Sequence, residues 1–229
     1  GIGDRRWNSA YKKELVDSRV QSTTLLANAL ASLDRPPAML LSASAIGFYG
    51  DQGDQVLTED SPAGEGFLPD LVTKWEAAAS PAAAAGIRTV TMRTGVVYST
   101  QGGALPKLLP LFKLGLGGPM GNGRQYVSWI SLDDEVRAVI HLLSAELSGA
   151  VNLTAPNPVT NKEQAIALAK ALRRPSFLPV PAFGPRLLLG GEMANALLFD
   201  SARVLPAKLT ASGFEFTHET IGEAFSAIV

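Results

Sequence analysis

Short apolar runs of strand length alternate with amphipathic segments of helical period through at least the first two-thirds of this chain, and that alternation most narrows its fold. Residues 8–33 read as a helix. Tyr11, Leu15, Leu25, Leu26, Ala29 and Leu30 fall on or near one stripe, Lys12, Lys13 and Asp17 lie off it, and Asn8 or Ser9 can cap it. Pro36-Pro37 stops the helix and launches the apolar run 38–45, which suits a parallel strand buried on both faces. After a Gly- and acid-rich loop, 47–66, the pattern predicts a helix over 67–79, a strand over 88–97 and a short helix over 106–114. A strand follows over 126–130, then a helix from Asp133 or Asp134 to about 147 and a strand over 150–153. The chain ends with a helix over 161–172, pieces broken by Pro and Gly, and a closing helix over 220–228.

This order predicts an α/β fold with a mainly parallel sheet. Such sheets normally open on a strand, a Gly-rich turn and a helix, whereas this chain opens on a helix. No G-x-G-x-x-G follows a strand anywhere. The expectation is that the first unit lies upstream of Gly1, and the missing initiator Met points the same way.

Composition excludes several function classes. Hydrophobic residues make up 46% and charged residues 18%, as in a compact globule. A net charge of −1, with no basic cluster interleaved with aromatics, argues against a nucleic-acid or membrane-surface partner. The chain has no Cys, which removes disulfides and thiolate chemistry, and two His, which are too few for a histidine metal site. No apolar run approaches the roughly 18 residues that span a bilayer. No secretory signal precedes Asn8, so a cytoplasmic protein is expected.

The segment Ser42-Ala43-Ser44-Ala45-Ile46-Gly47-Phe48-Tyr49-Gly50 sits where a strand gives way to a loop, the edge at which open α/β sheets bind ligands. A small hydroxyl residue there admits a ligand closely and can donate to an oxyanion, or it can simply bond nearby backbone. The Gly-rich loop 115–123 has the composition of a phosphate cradle. It precedes a strand instead of a helix, so a set of tight turns is the competing reading.

The Ser42–Gly50 segment resembles the S-S-x-x-V-Y-G segment of extended short-chain dehydrogenases/reductases, the group that includes nucleotide-sugar epimerases. Met92-Arg93-Thr94-Gly95-Val96-Val97-Tyr98, Trp129-Ile130-Ser131-Leu132-Asp133-Asp134 and Val151-Asn152-Leu153 are similar to later segments of that group. Further matches narrow the resemblance to an atypical epimerase-like branch, labelled nucleoside-diphosphate-sugar epimerase or SulA-family cell-division inhibitor. They include Arg6-Trp7, Ser18-Arg19, Trp75-Glu76, Gly102-Gly103-Ala104-Leu105, Pro158-Val159-Thr160-Asn161, Gly191-Glu192-Met193-Ala194 and Gly213-Phe214, and they run over essentially the whole chain.

The resemblance implies a Rossmann-like, doubly wound parallel sheet lacking its N-terminal strands, with a small C-terminal α+β substrate domain. Residues 1–100, rejoined by 125–148, would form the remainder of the NAD(P)-binding domain, and 101–124 with 149–229 the substrate-binding portion. It also implies NADP(H) as cofactor, with NAD the alternative, and a small-molecule substrate such as a nucleotide sugar. A homodimer would fit the same group. The activity implied is that of an NAD(P)-dependent oxidoreductase or epimerase.

Enzymes of this group use Ser with a Y-x-x-x-K pair, the Lys lowering the pKa of the Tyr from about 10. Lys74 fits the Lys, but Asp70 stands four residues before it. With a reference pKa of about 3.9 and a short side chain, Asp70 cannot replace a Tyr, and it could instead pair with Lys74 along the helix. Ser44, Tyr49 and Lys74 are therefore the expected catalytic set, with Tyr49 the substitute acid. Ser42, Lys74, Arg93, Gly95 and Val96 are expected at the cofactor. Arg93 has a structural alternative, binding carbonyls at the sheet edge. Arg124, Gln125 and Trp129 are expected at the substrate, though Arg124 also fits a solvated charge and Trp129 a core position. Loss of the Tyr leaves a second reading open, a non-catalytic NADP(H)-binding sensor or scaffold.

Overall fold

The computed structural model describes residues 1–176 and 178–229. The chain begins with α1 (Ser9–Ala31), whose N-cap is Asn8, the side chain accepting from the Tyr11 N–H. Then come β1 (Met39–Ala45), a 3-10 turn (Ile46–Tyr49), β2 (Val56–Leu57), α2 (Phe67–Ala77), α3 (Ser80–Ala84), β3 (Arg88–Thr94) and β4 (Val96–Ser99). The middle of the chain forms β5 (Gly102–Gly103), α4 (Leu105–Lys113), β6 (Tyr126–Val127), β7 (Trp129–Ser131), α5 (Leu132–Ser144) and β8 (Gly149–Leu153). The remainder forms β9 (Val159–Thr160), α6 (Asn161–Ala171), α7 (Phe183–Leu189), α8 (Gly191–Ala194), a π turn (Asn195–Phe199), β10 (Arg203–Val204), α9 (Ala207–Ala211) and α10 (Ile221–Ile228). Capping boxes, Thr160 with Glu163 and Thr220 with Glu223, open α6 and α10 and satisfy their first N–H groups.

The main sheet is parallel, in the order β1-β3-β8, with Ser44 opposite Arg93 and Arg93 opposite Asn152. β8, which the expected division places with the substrate-binding portion, thus pairs with β3 in this sheet. The strand expected over 88–97 is two strands. Gly95 breaks it, and β4 leaves to pair with β7 in parallel and β5 antiparallel. At the break the Gly95 N–H donates to Leu153 O and the Val96 N–H to Ser128 O, 3.0 and 2.9 Å away. A Cβ on Gly95 would lie 2.8 Å from Ser128 O, too close for any side chain. Gly95→Ala is expected to cost about 1–3 kcal/mol in denaturant unfolding through this crowding. A negligible loss would show that the two backbones separate freely.

The run 115–123 adopts the tight-turn geometry. Gly121 and Gly123 have positive φ, and a Cβ on Gly118 would strike Leu178 O at 1.9 Å.

The two edges of the main sheet differ. On β8 the Asn152 N–H donates to Glu59 Oε1 at 3.0 Å, and Lys208 Nζ donates to Ala150 O at 2.9 Å. β1 has no strand on its outer edge among the described residues, although an unpaired edge leaves a row of backbone groups unsatisfied. The expected burial of this strand on both faces is not seen; Ala43 is exposed. One core packs Trp129, Tyr98 and Phe225 with α6 and α10, and another packs Val90, Val151, Leu142 and Phe214 around β3, β8 and α5. No helix among the described residues is long and apolar enough to cross a membrane.

Candidate functional site

β1 and β3 end side by side at Ala45 and Thr94, and a cavity of about 480 Å³ opens over their carboxyl ends. Its floor is Ser44, Ala45, Thr94, Gly95 and Val96, and one wall is the apolar face of α2, Leu68, Leu71, Val72 and Trp75. Gln125 to Ser128, residues 196–198, 200 and 202, and Arg19 of α1 also line the cavity. This is the position at which parallel α/β sheets bind ligands.

The polar groups of the cavity are mostly committed. The Ser44 hydroxyl donates to Glu76 Oε1 at 2.6 Å. Gln125 Nε2 donates to Met120 O and Leu198 O at 3.2 and 3.0 Å, and the Ser128 hydroxyl donates to Ala202 O at 2.7 Å. Thr94 Oγ1 donates to Glu135 Oε1 at 2.9 Å, while Glu135 Oε2 is buried without a partner among the described residues. Burial pushes the Glu135 carboxyl up to about 7, against a small opposing effect of the Thr94 bond. Burial, followed by repulsion from Asp51, raises the Asp200 carboxyl as well.

Behind the floor lies a buried network. Arg93 Nε and Nη2 each donate to a Glu76 carboxylate oxygen at 2.8 Å, and Nη1 donates to the Tyr49 hydroxyl at 3.0 Å. The Tyr49 hydroxyl in turn donates to Asn152 Oδ1 at 2.7 Å, and the guanidinium lies 3.4 Å from the centroid of the Phe48 ring. Burial works against the Arg93 charge, but the bonds to Glu76 and Tyr49 outweigh it.

The structure separates the expected catalytic set. Ser44, Gly95, Val96 and Gln125 line the cavity. Tyr49 is fully buried outside the cavity wall, and burial raises its hydroxyl above the ordinary phenol value, against the Arg93 and Asn152 bonds. Its hydroxyl, bonded to Arg93 and Asn152, does not border the cavity. Lys74 is exposed and off the cavity face of α2, so it does not meet Ser44. Asp70 is also exposed, and no ion pair joins it to Lys74 among the described residues.

Arg93 takes the structural alternative, with a carboxylate as its partner in place of carbonyls. Ser42 is buried in β1 outside the cavity lining. Trp129 is fully buried in the core with Nε1 donating to Asn157 O at 3.1 Å, which removes it from any substrate surface. Arg124 is exposed and does not line this cavity; it borders an adjoining hollow with Asp51, Asp54 and Arg186. Sequence reasoning missed Glu135, Thr94, Glu76 and Arg19. The Trp75-Glu76 and Ser18-Arg19 pairs were visible as motifs, but nothing in them showed which way the side chains turn.

The profile of the NAD dependent epimerase/dehydratase family matches residues 1–153. The chain belongs to this family. A second profile, a domain of unknown function (DUF1731), matches residues 180–228. An epimerase family protein of Mycobacterium bovis is 47% identical over 224 residues, covering 97% of this chain and 73% of that protein. The crystal structure of human epimerase family protein SDR39U1 (isoform 2) with NADPH superposes with a TM-score of 0.93 at 35% identity. It covers 100% of this chain and 78% of the human one. A nucleoside-diphosphate sugar epimerase from Corynebacterium glutamicum superposes at 0.78 with 36% identity, covering 97% of this chain and 44% of that one. The epimerase family fold is thus the Rossmann-like α/β arrangement expected from the sequence.

Proposed function

We propose that this family member is an NADPH-dependent oxidoreductase or epimerase-type protein acting on a small molecule held in the cavity over Ser44 and Thr94. The observation carrying this reading is the cavity's place at the carboxyl ends of β1 and β3, closed by residues of the C-terminal part. In this reading Ser44, Thr94, Gly95 and Val96 border the reactive end, and Gln125 orients the C-terminal wall. The unpartnered edge of β1, set against the capped edge of β8, fits a further parallel strand beside it. NADPH is the cofactor with which the human relative was solved. Bound here, its nicotinamide would supply hydride. A nucleotide sugar is the substrate class suggested by the Corynebacterium relative.

A second reading is favoured by one observation. The α2 face that meets the cavity is Leu68, Leu71, Val72 and Trp75, with no Tyr or Lys on it. A protein that binds NADPH without hydride transfer would have such a wall. Titration of the intact protein with NADPH, followed by turnover on a panel of carbonyl compounds and nucleotide sugars, separates the two. Binding with turnover is expected. Binding without turnover across the panel establishes the sensor reading, and no binding overturns both.

A further inference from the structure

Arg19 reaches the cavity from midway along α1 and is half-buried there, its guanidinium 5.4 Å from the centroid of the Trp75 ring. Nη1 donates to Leu15 O at 2.9 Å, a bond within its own helix, and its other donors have no partner among the described residues. The other basic side chain that packs close to this cavity's floor, Arg93, is paired with Glu76, whereas Arg19 has no carboxylate at ion-pair distance among the described residues. Glu14 and Asp4 border an adjoining hollow with Arg19, but Glu14 is taken by Arg5 and Asp4 by the terminal amine. Asp200 is the carboxylate that lines the cavity itself, and it makes no ion pair with Arg19. Burial lowers the Arg19 pKa, with Tyr11 the opposing influence.

A cation withdrawn from water without a counter-charge is costly, and that cost is recovered when a ligand brings the anion. The planar guanidinium fork matches carboxylate and phosphate oxygens, and the Trp75 ring gives it a cation–π neighbour. α2 adds Leu68, Leu71 and Val72 to the same cavity, a surface for the apolar part of a ligand.

We propose that Arg19 anchors the anionic group, a carboxylate or phosphate, of the small organic substrate held in this cavity. The proposal rests on the cavity being the reactive cleft and deepens that reading by naming the substrate's chemistry. The same guanidinium could serve the phosphates of the cofactor, and the experiment distinguishes these sources.

Benzoate, phenyl phosphate and neutral benzamide are titrated calorimetrically into the intact protein, with and without NADPH, for the wild type, Arg19→Met and Arg19→Lys. Benzoate or phenyl phosphate is expected to bind about ten- to a hundredfold more tightly than benzamide, as a charge-assisted bond should give. Arg19→Met removes that preference and Arg19→Lys restores part of it, while NADPH affinity changes by no more than about twofold. Unfolding midpoints are measured alongside, and Arg19→Lys separates loss of the charge from loss of the fold. Equal binding of the three probes, or a preference that survives Arg19→Met, overturns the proposal. Loss of NADPH affinity by about tenfold or more in Arg19→Met gives the guanidinium to the cofactor and also overturns it. A wild type that binds no NADPH sinks the functional reading instead, and the probe titrations without cofactor still decide whether Arg19 binds the anion.

Discussion

Replacing Glu135 by Gln makes the protein more stable relative to the wild type as the pH rises from about 5 to about 8, by ~2–3 kcal/mol over that interval. The Glu135 carboxyl is pushed by burial from 4.5 up to about 7. Between those values the folded state binds more protons at this site than the unfolded chain does. Stability therefore falls as pH rises through that window, and the full penalty is present above about 7. Gln carries no charge, so the variant escapes the trend, while its amide keeps an oxygen for the Thr94 hydroxyl. Urea unfolding of both proteins at several pH values measures the effect. Parallel stability curves would mean that Glu135 titrates like an exposed carboxyl. Thr94→Val should move the titration higher still, because the Thr94 bond is the influence that lowers it.

Arg93→Ala is expected to cost about 3–5 kcal/mol, the largest loss from any single substitution considered. The side chains of Arg93 and Glu76 are only 6% and 15% exposed, and removing the guanidinium leaves the Glu76 carboxylate buried with a single donor, Ser44. It also strips a donor from Tyr49 and uncovers the Phe48 ring. Tyr49→Phe should cost less, about 1–3 kcal/mol, because it leaves Asn152 Oδ1 without its buried donor. The two substitutions share one network, so a double-mutant cycle in denaturant should give a coupling above about 0.5 kcal/mol. Additive losses would show that Arg93 and Tyr49 act independently. The same Tyr49→Phe protein is expected to keep its NADPH affinity, since the hydroxyl faces Arg93 and Asn152 and not the cavity.

Helices and strands were legible wherever a local signal sufficed. Pro36-Pro37 and the run after it located β1, and the helical patterns over 161–172 and 220–228 located α6 and α10. Boundaries failed where a distant backbone intervened. Gly95 looks like one residue of a long strand, yet Ser128 and Leu153 hold it at a break that sends β4 into a different sheet. The start of α5 was placed at Asp133 or Asp134, but its cap is Ser131, whose side chain accepts from the Asp134 N–H.

The site divides in the same way. Sequence pattern alone determined the α/β class, the family, and the end of a strand within Ser42–Gly50, because period, turn residues and motif order are local properties of the chain. Whether a side chain at that edge faces solvent, core or cavity depends on what packs against it, and only the tertiary structure decided that. Tyr49 turns into a buried network because Arg93 and Asn152, 44 and 103 residues away, wait there with a donor and an acceptor. Lys74 lies on the outer side of α2 because Leu68, Leu71, Val72 and Trp75 take the side facing the fold. Burial likewise made Glu135 titrate near neutrality and lowered the Arg19 pKa, since desolvation exists only once distant segments have closed around a charge.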